Sequence, residues 1–234
     1  MKQHHLHPNI EDENIALSPL FKHLTPEELD RINDDKTVSF YKKGTYIYHE
    51  GNRIAGSYIV LKGILKIFKT GIDGKEQIIR FAKPYELIAF RSVLSGELAC
   101  TTAKTLDDCV LSYIPQETLF HLVKTNGQFS LELLQLACRE LGEANEYITD
   151  IAQKTVRERL AEILVHLKED FGLDNENALQ ISLTREELAN IVGTATESVI
   201  RLLSEFKADK LIEINGRKIK ILNYNLLRKI ANFM

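Results

Sequence analysis

The chain has 234 residues, of which 44% are hydrophobic and 27% charged, and its formal net charge is −3 at pH 7. This length and composition are typical of a chain that buries a full core, and they favour two domains. No apolar run reaches the roughly 18 residues of a membrane span, and the polar start MKQHHLHPNIEDEN is unlike a signal peptide. We therefore expect a cytoplasmic protein.

The three cysteines, Cys100, Cys109 and Cys138, are an odd number without CxxC spacing. This pattern argues against a disulfide framework and against a metal site made of cysteines alone. We predict that they are buried free thiols.

The first predicted element is a short helix in PLFKHLTPEELDRIN, capped at Thr25-Pro26. Residues 37–115 then carry short β-branched and aromatic runs, separated by turn signals, that predict strands: TYIYHEG, SYIVLKGILKIFKTG, EQIIRFAK and CVLSYIP. Asp73-Gly74 predicts a type I′ hairpin turn. The corners at Gly44, Gly51 and Gly63 indicate a small closed β-roll or barrel.

After Pro115 the apolar period changes from 2 to 3.5, which predicts a long helix with a narrow a/d seam. The seam residues are Leu134, Ala137, Leu141, Ala144, Ile148 and Ile151. The narrow seam favours contact with the same helix of a second copy in a parallel dimer. The alternative is that the seam packs on the chain's own β-roll.

A second helix, TVRERLAEILVHLKEDFG, ends at Gly172, and the polar LDNENA separates it from the C-terminal segment. In TREELANIVGTATESVIRLL, Thr184 with Glu187 and Thr194 with Glu197 each form a T-x-x-E capping box. Two helix starts ten residues apart require a turn between them, and Gly193 suits its left-handed position. This is the spacing of a helix-turn-helix.

The helix interface is predicted from small Ala189 and from the apolar Leu188, Val192, Val199 and Leu202. The following LIEINGRKIKIL predicts a hairpin around Asn215-Gly216, which would add a wing carrying Arg217, Lys218 and Lys220. From residue 185 onward there are 9 Lys and Arg against 6 Asp and Glu, although the whole chain is acidic. A locally basic face of this kind suits a phosphate backbone.

The order of these features resembles the Crp/Fnr family of bacterial transcription regulators over roughly residues 18 to 226. The resemblance implies an α+β fold with three parts. They are a double-stranded β-helix or jelly-roll sensor domain resembling the cyclic-nucleotide-binding fold at 18–125, a dimerisation helix at 126–153, and a winged helix-turn-helix at 154–226. It further implies a homodimer on a palindromic promoter, an effector in the roll, and RNA polymerase as a partner.

The family commonly shows Glu-x-x-Gly-Arg or Glu-x-x-Ser-Arg in the recognition helix, where this chain has Glu197, Ile200 and Arg201. Residues 197 and 201 share one helix face, where an arginine can take both guanine acceptors and a carboxylate can accept from cytosine. Alternatively, Glu197 only closes its capping box, and Arg201 contacts phosphate or forms an ion pair with Glu197 or Glu205. The candidate DNA-contacting residues are Thr184, Arg185, Thr194, Thr196, Glu197, Ser198, Ile200, Arg201, Arg217 and Lys218.

The sensing pocket departs from the members that bind cyclic AMP. Ala89-Phe90-Arg91 stands in place of their Gly-Glu-Leu turn, and Leu98-Ala99-Cys100-Thr101 in place of their Arg-Ser pair. Both charged ligands of the nucleotide are therefore missing, and we expect either a different small ligand or a pocket filled by its own side chains. The candidate effector residues are Phe90, Arg91, Ser92, Thr101, Thr102 and Asn145.

No cofactor is assigned. The iron–sulfur members of the family use an N-terminal cysteine cluster, and no cysteine precedes Cys100 here, so we expect no such cluster. Haem stays open, although His4, His5 and His7 fit a solvated tail better than a ligand set. No catalytic set or metal motif is evident, which argues against an enzyme. The alternative to a DNA-binding regulator is a haem or cyclic-nucleotide sensor that acts through protein contacts.

Overall fold

The computed structural model describes residues 15–232, so His4, His5 and His7 lie outside the described residues. The chain forms two compact units. Of the described residues, one unit holds 15–69 and 79–140, and the other holds 70–78 and 141–232.

The first unit begins with two 3₁₀ turns and helix α1, Pro26–Asp35. The predicted cap is confirmed as a capping box: the Glu28 backbone N–H donates to Thr25 Oγ1 at 3.3 Å, and the Thr25 N–H donates to Glu28 Oε2 at 2.9 Å. Eight strands follow: β1 Thr37–Tyr41, β2 Tyr46–Tyr48, β3 Gly56–Lys62, β4 Leu65–Thr70, β5 Glu76–Ala82, β6 Leu87–Ile88, β7 Thr102–Thr105 and β8 Cys109–Pro115.

The strands pair in two four-stranded sheets, in the orders β1-β8-β3-β6 and β2-β7-β4-β5, which confirms the predicted roll. The inward side chains of both sheets, among them Val60, Leu65 and Leu111, form one core cluster. Gly63 turns the corner between β3 and β4 with φ of 88°. A Cβ placed there would lie 2.5 Å from Cys109 Sγ, so only glycine fits this corner.

The hairpin between β4 and β5 differs from the type I′ prediction. Gly74 has φ of 74°, but Asp73 is not among the residues with positive φ. The Gly74 N–H donates to the Gly71 carbonyl at 3.0 Å, and the Gly71 N–H donates to the Lys75 carbonyl at 2.8 Å. The loop therefore has three residues and needs one left-handed glycine, as in a type I turn with a G1 bulge.

Three helices accompany the roll: α2 Phe90–Ser95, α3 Gln116–Thr125 and α4 Gly127–Gln153. A second core cluster forms between them and the β1-β8-β3-β6 sheet, and Phe129 and Leu133 of α4 are buried in it. Ala137 packs partly against the same cluster. Among the seam residues only Ala137 thus packs on the chain's own roll, while Leu141 and Ile148 stay 63% and 66% exposed, and the parallel dimer stays a prediction.

The second unit contains α5 Val156–Phe171, α6 Arg185–Val192, α7 Thr196–Ala208, the hairpin β9 Ile212–Asn215 with β10 Lys218–Ile221, and α8 Tyr224–Ile230. Gly172 ends α5, as predicted. The wing hairpin is confirmed, but its two turn residues are Gly216 and Arg217, because Asn215 pairs with Lys218 in the ladder.

None of the helices between residues 15 and 232 is long and apolar enough to cross a bilayer. All three cysteines are free, but only Cys109 is buried. The prediction of buried thiols was wrong for Cys100 and Cys138, because Cys138 lies on the uncovered side of α4 and Cys100 on an open bend after α2.

Candidate nucleic-acid interface

The helix-turn-helix is formed where the sequence predicts it. Thr184 begins α6 with a capping box, in which the Glu187 N–H donates to Thr184 Oγ1 at 3.1 Å and the Thr184 N–H donates to Glu187 Oε2 at 2.8 Å. Gly193 ends α6 in the left-handed region with φ of 72°. Leu188, Ala189, Val192, Val199 and Leu202 are all buried, which confirms the predicted helix interface.

The second predicted capping box is not formed. Helix α7 begins at Thr196, its N-cap is Ala195, and no side chain caps it. Thr194 lies one residue before the N-cap position of α7. Its N–H donates to the Ala189 carbonyl at 3.1 Å, and the Gly193 N–H donates to the same carbonyl at 2.9 Å. Thr194 therefore belongs to the C-terminal closure of α6, of Schellman type, and not to the start of α7.

The turn between α6 and α7 is held by side chains that the sequence patterns did not single out. Arg159 donates from Nε to the Val192 carbonyl at 3.0 Å, and from Nη2 to the Gly193 carbonyl at 3.4 Å. Its Nη1 also donates to the Lys154 carbonyl at 2.7 Å. One guanidinium thus satisfies two carbonyls that a helix C-terminus leaves open, together with a third at the end of α4.

Residues 70–78 belong to the same unit and supply two more donors to this turn. Lys75 Nζ donates to the Thr194 carbonyl at 2.6 Å, and Gln77 Nε2 donates to the Asn190 carbonyl. Side chains from outside the two helices therefore hold four carbonyls of this turn, those of Asn190, Val192, Gly193 and Thr194. These hydrogen bonds fix the backbone that leads into α7.

The outer face of α7 carries the predicted base-reading residues. Val199, Leu202, Leu203 and Phe206 are buried beneath it. On the opposite side Glu197 is exposed, Ile200 is 49% exposed and the Arg201 side chain is 69% exposed. The half-buried Thr196 and Ser198 flank them. The predicted residues are therefore accessible on the outer face of α7, and their contacts with DNA stay a prediction.

Arg201 forms an ion pair within its own helix. Its Nη1 lies 3.0 Å from Glu205 Oε1, while Arg157 Nη1 lies 3.1 Å from the other Glu205 oxygen. The pair with Glu205 is one of the alternatives that the sequence left open for Arg201. An exposed i,i+4 pair contributes only about 0.3–0.5 kcal/mol, so it leaves Arg201 free to exchange Glu205 for another acceptor.

The wing lies beside the start of α6. Arg185 Nη2 donates to the Gly216 carbonyl at 2.9 Å, and burial lowers the pKa of this guanidinium. Arg217 and Lys218 are exposed, and Lys218 Nζ lies 3.8 Å from Asp174 Oδ2. Backbone N–H groups of Ala178 and Glu176, followed by the charges of Lys218 and Lys220, lower the pKa of Asp174. The wing keeps its cations at the surface.

Four of the six predicted effector residues are buried in the first unit, where two of them accept hydrogen bonds from its backbone. Phe90, Ser92, Thr101 and Thr102 are buried. Thr102 Oγ1 accepts the Glu50 N–H at 3.0 Å, and Ser92 Oγ accepts the Cys100 N–H at 3.4 Å. Of the two remaining candidates, Arg91 and Asn145, Asn145 is exposed on α4 and belongs to the second unit.

Arg91 is paired with a carboxylate that the sequence patterns did not indicate. Its Nε lies 3.2 Å from Glu140 Oε2, and Arg80 Nη2 lies 3.1 Å from Glu140 Oε1. Arg80 also contacts Glu86 at 2.8 Å, and the Glu140 side chain is only 11% exposed. Two arginines thus share a carboxylate of their own chain.

Ala89 begins α2 in the left-handed region, with φ of 68°. By the family resemblance, Ala89 takes the place of the glycine in the Gly-Glu-Leu turn. Its backbone adopts a conformation that suits glycine. A residue with a Cβ is strained in this region.

These elements define a DNA-binding protein with a regulatory β-roll. Residues 38–126 match the model of the cyclic nucleotide-binding domain, and residues 158–230 match that of the Crp-like helix-turn-helix domain. The transcriptional activator protein Anr of Pseudomonas protegens is 30% identical over 86% of this chain and 83% of its own length. The chain belongs to the Crp/Fnr family of transcription regulators, and these relatives are DNA-binding regulators and not enzymes.

Two further similarities bear on fold and ligand. FixK2 from Bradyrhizobium japonicum superposes with a TM-score of 0.75 at 23% identity, covering 83% of this chain and 96% of that one. A CRP-like cAMP-activated global transcriptional regulator of Mycobacterium tuberculosis is 24% identical over 94% of this chain and 99% of its own length. The first supports the fold, and the second raises the question of whether this chain also responds to cyclic AMP.

Proposed function

We propose that this regulator binds a palindromic promoter site as a homodimer in the cytoplasm and contacts RNA polymerase there. The observation that carries the proposal is the outer face of α7, where Glu197 and Arg201 are exposed above a fully packed underside. Arg201 reads guanine, and Glu197 accepts from cytosine. Ile200 contacts a thymine methyl group, and Thr196 and Ser198 contact phosphate or a methyl group.

The remaining DNA contacts hold the protein on the phosphate backbone. Arg217 and Lys218 of the wing, together with Thr184, Arg185 and Thr194 beside the turn, contribute to affinity without reading sequence. The hydrogen bond of the half-buried Arg185 to the Gly216 carbonyl suits a residue that also fixes the wing next to α6.

The dimer forms along the exposed seam of α4. Leu134, Leu141 and Ile148 are three large apolar side chains at heptad spacing, each at least 60% exposed in the single chain. Ala137, Ala144 and Ile151 complete the seam at the intervening positions. An apolar stripe of this kind is typical of a helix that packs against a second copy. A two-fold dimer then separates the recognition helices by about 34 Å, one turn of DNA.

Selection from a pool of random DNA duplexes tests the proposal. The full-length protein should enrich an inverted repeat whose half-sites are centred about one helical turn apart. Enrichment of a single unrepeated half-site, or of no sequence, contradicts the proposed dimeric mode. The full-length Arg201→Ala variant serves as the control. The substitution removes an exposed side chain and one proposed base contact, so the choice of base should be relaxed at one position in each half-site.

We further propose that the regulator does not respond to cyclic AMP. A buried cyclic phosphate needs a cation or several donors, and Phe90 and the run Leu98-Ala99-Cys100 provide neither. The nearest cation in the sequence, Arg91, is already paired with Glu140. Either a different ligand is sensed or the pocket is filled by its own side chains.

Isothermal calorimetry with cyclic AMP tests this second proposal. We expect no saturable heat in the wild type. Saturable binding at micromolar affinity that is lost in Arg91→Ala would show that the phosphate site has been rebuilt around Arg91, and the proposal would then be wrong. DNA selection is measured separately, so the two proposals succeed or fail independently.

A further inference from the structure

A cleft of about 540 Å³ lies in the first unit, among residues that the family resemblance does not assign to any role. Four tyrosines line it, Tyr41, Tyr48, Tyr58 and Tyr113, and we call it the tyrosine cleft. The remaining lining residues come from β1, β2 and the segment 49–55: Thr37, Ser39, Ile47, His49, Asn52, Arg53, Ile54 and Ala55. None of the predicted effector residues belongs to this set.

Strand register brings the tyrosines together. Tyr58 of β3 pairs with Tyr113 of β8, and Tyr113 pairs in turn with Thr37 of β1. Directly opposed residues of neighbouring strands point to the same side of a sheet, so these three side chains form one row across it. The cleft is thus a product of the sheet itself and not of a loop.

The rim of the cleft is held at both ends. The Gly51 N–H donates to the Ala99 carbonyl and the Ala99 N–H to the Asn52 carbonyl, each at 2.8 Å. The Gln116 N–H donates to the Ala55 carbonyl at 3.0 Å. Because these backbone hydrogen bonds hold the segment 49–55, ligand binding requires little ordering of the rim.

The tyrosine rings offer flat faces in two orientations. The centroids of Tyr58 and Tyr113 are 5.2 Å apart with the planes inclined by 58°, and those of Tyr48 and Tyr58 are 6.4 Å apart with the planes inclined by 25°. Burial, followed by the nearby phenols, raises the pKa of Tyr58 to about 12, so its hydroxyl remains a donor at neutral pH. Flat rings and hydroxyl donors suit a planar ligand with an acceptor group.

The charge of the lining favours an anion. Arg53 and His49 are exposed at the rim, and no Asp or Glu is among the described residues that line the cleft. Arg53 also takes part in no ion pair with the described chain. A guanidinium recognises a carboxylate in a bidentate manner. Because Arg53 has no ion-pair partner among the described residues, a ligand carboxylate has no internal carboxylate to displace from it. Arg91 differs in this respect, since Glu140 already occupies it.

We infer that the tyrosine cleft binds a planar aromatic carboxylate, with its ring against Tyr58 and Tyr113 and its carboxylate on Arg53. The inference rests on the proposed function only in treating the β-roll as the sensing part of a DNA-binding regulator. Tyr48 links the two regions of the roll, because its ring lines the cleft while its hydroxyl lies beside Thr101 of the family's pocket.

Isothermal calorimetry on the full-length protein with 2-naphthoate tests the inference. We expect saturable binding that weakens about tenfold or more in Arg53→Gln, which removes a charge-assisted contact. Tyr113→Leu should weaken it by about two- to tenfold, because one aromatic face is lost. Arg31→Gln, on the exposed side of α1, is the matched control and should leave the affinity unchanged.

Two further ligands and one further variant distinguish the tyrosine cleft from the family's pocket and from nonspecific apolar binding. The neutral 2-naphthamide should bind to the wild type more weakly than 2-naphthoate does. Its affinity for Arg53→Gln should equal its affinity for the wild type. Cyclohexanecarboxylate, which has no aromatic ring, should also bind to the wild type more weakly than 2-naphthoate. Arg91→Gln should leave naphthoate binding unchanged.

Three results would each overturn the inference. They are absence of binding at millimolar naphthoate, equal affinity for naphthoate and naphthamide, and a loss of binding in Arg91→Gln but not in Arg53→Gln. A protein that still selects palindromic DNA in these cases keeps its proposed function.

Discussion

The β-roll and the helix-turn-helix differ in how their charged and polar side chains are paired. In the β-roll, Arg91 and Arg80 share the largely buried Glu140, and the hydroxyls of Ser92 and Thr102 accept backbone N–H groups of their own unit. In the helix-turn-helix, Glu197 is exposed and Arg201 has only a surface ion pair. The charged side chains on the outer face of the helix-turn-helix are therefore exposed to water and available to DNA, whereas those of the β-roll are satisfied by partners within their own unit.

The largest expected effect comes from the seam of α4. Leu141→Glu places a charge where two copies should meet, and we expect a monomer that loses at least about a hundredfold in affinity for the inverted repeat, because the second half-site no longer contributes. Sedimentation velocity measures the assembly, and Gln135→Glu, on the same helix but off the seam, is the control. A Leu141→Glu protein that stays dimeric would place the interface elsewhere.

Arg201 tests the exposed region directly. Arg201→Ala should weaken binding to the selected site by roughly 1–3 kcal/mol and relax the choice of base at one position in each half-site. Lys218→Ala should weaken binding to all sequences alike and reduce the salt slope by about one, since it removes a phosphate contact. Fluorescence anisotropy over a salt series distinguishes the two. Unchanged promoter affinity in both variants would contradict the assignment of α7.

The stability of the β-roll should depend on pH in the alkaline range through the phenol of Tyr58. Burial and neighbouring phenols raise the pKa of Tyr58 from 10 to about 12, so the unfolded chain loses this proton first. The contribution of Tyr58 to stability is therefore complete below about pH 10 and lost as the pH rises through 12. The melting temperature of Tyr58→Phe should fall less between pH 9 and 11 than that of the wild type or of the exposed control Tyr46→Phe. Equal slopes in all three would argue against a buried phenol.

The smallest expected effect concerns Ala89. Because its φ of 68° strains any residue with a Cβ, Ala89→Gly should stabilise the protein by up to about 1 kcal/mol. The same substitution at Ala152, an exposed position of α4, should instead destabilise it by about 0.5–1 kcal/mol. Urea unfolding measures both. A loss of stability in Ala89→Gly would show that the left-handed conformation is not strained here.

Sequence patterns predicted the local features well, because each depends on a few neighbouring residues. The Thr184 capping box, the left-handed Gly193 and the buried interface around Ala189 were all placed to the residue. Two of the errors were displacements of one residue at a turn. Thr194 fitted the capping pattern, but its N–H closes the preceding helix, and Asp73 fitted a two-residue turn in a loop that has three.

Contacts between distant segments could not be read from these patterns. Glu140 meets Arg80 and Arg91 from 49 or more positions away, and Arg159 reaches the turn at Val192 from another helix. Spacing within the chain carries no signal for such pairs, because they depend on how the strands and helices pack. The tyrosine cleft has the same origin, since Tyr58 and Tyr113 become neighbours only through the strand register.

The three hydrogen bonds of Arg159 have a genetic consequence. A lysine at this position keeps the charge, but its single ammonium cannot span the carbonyls of Lys154, Val192 and Gly193 at once. If the protein forms the proposed dimer, such a chain would keep the α4 seam and still pair with a normal copy, while its own recognition helix α7 would be poorly held. In a cell that makes both chains, we expect the mixed dimers to be defective, so that a change at Arg159 is dominant over the normal gene.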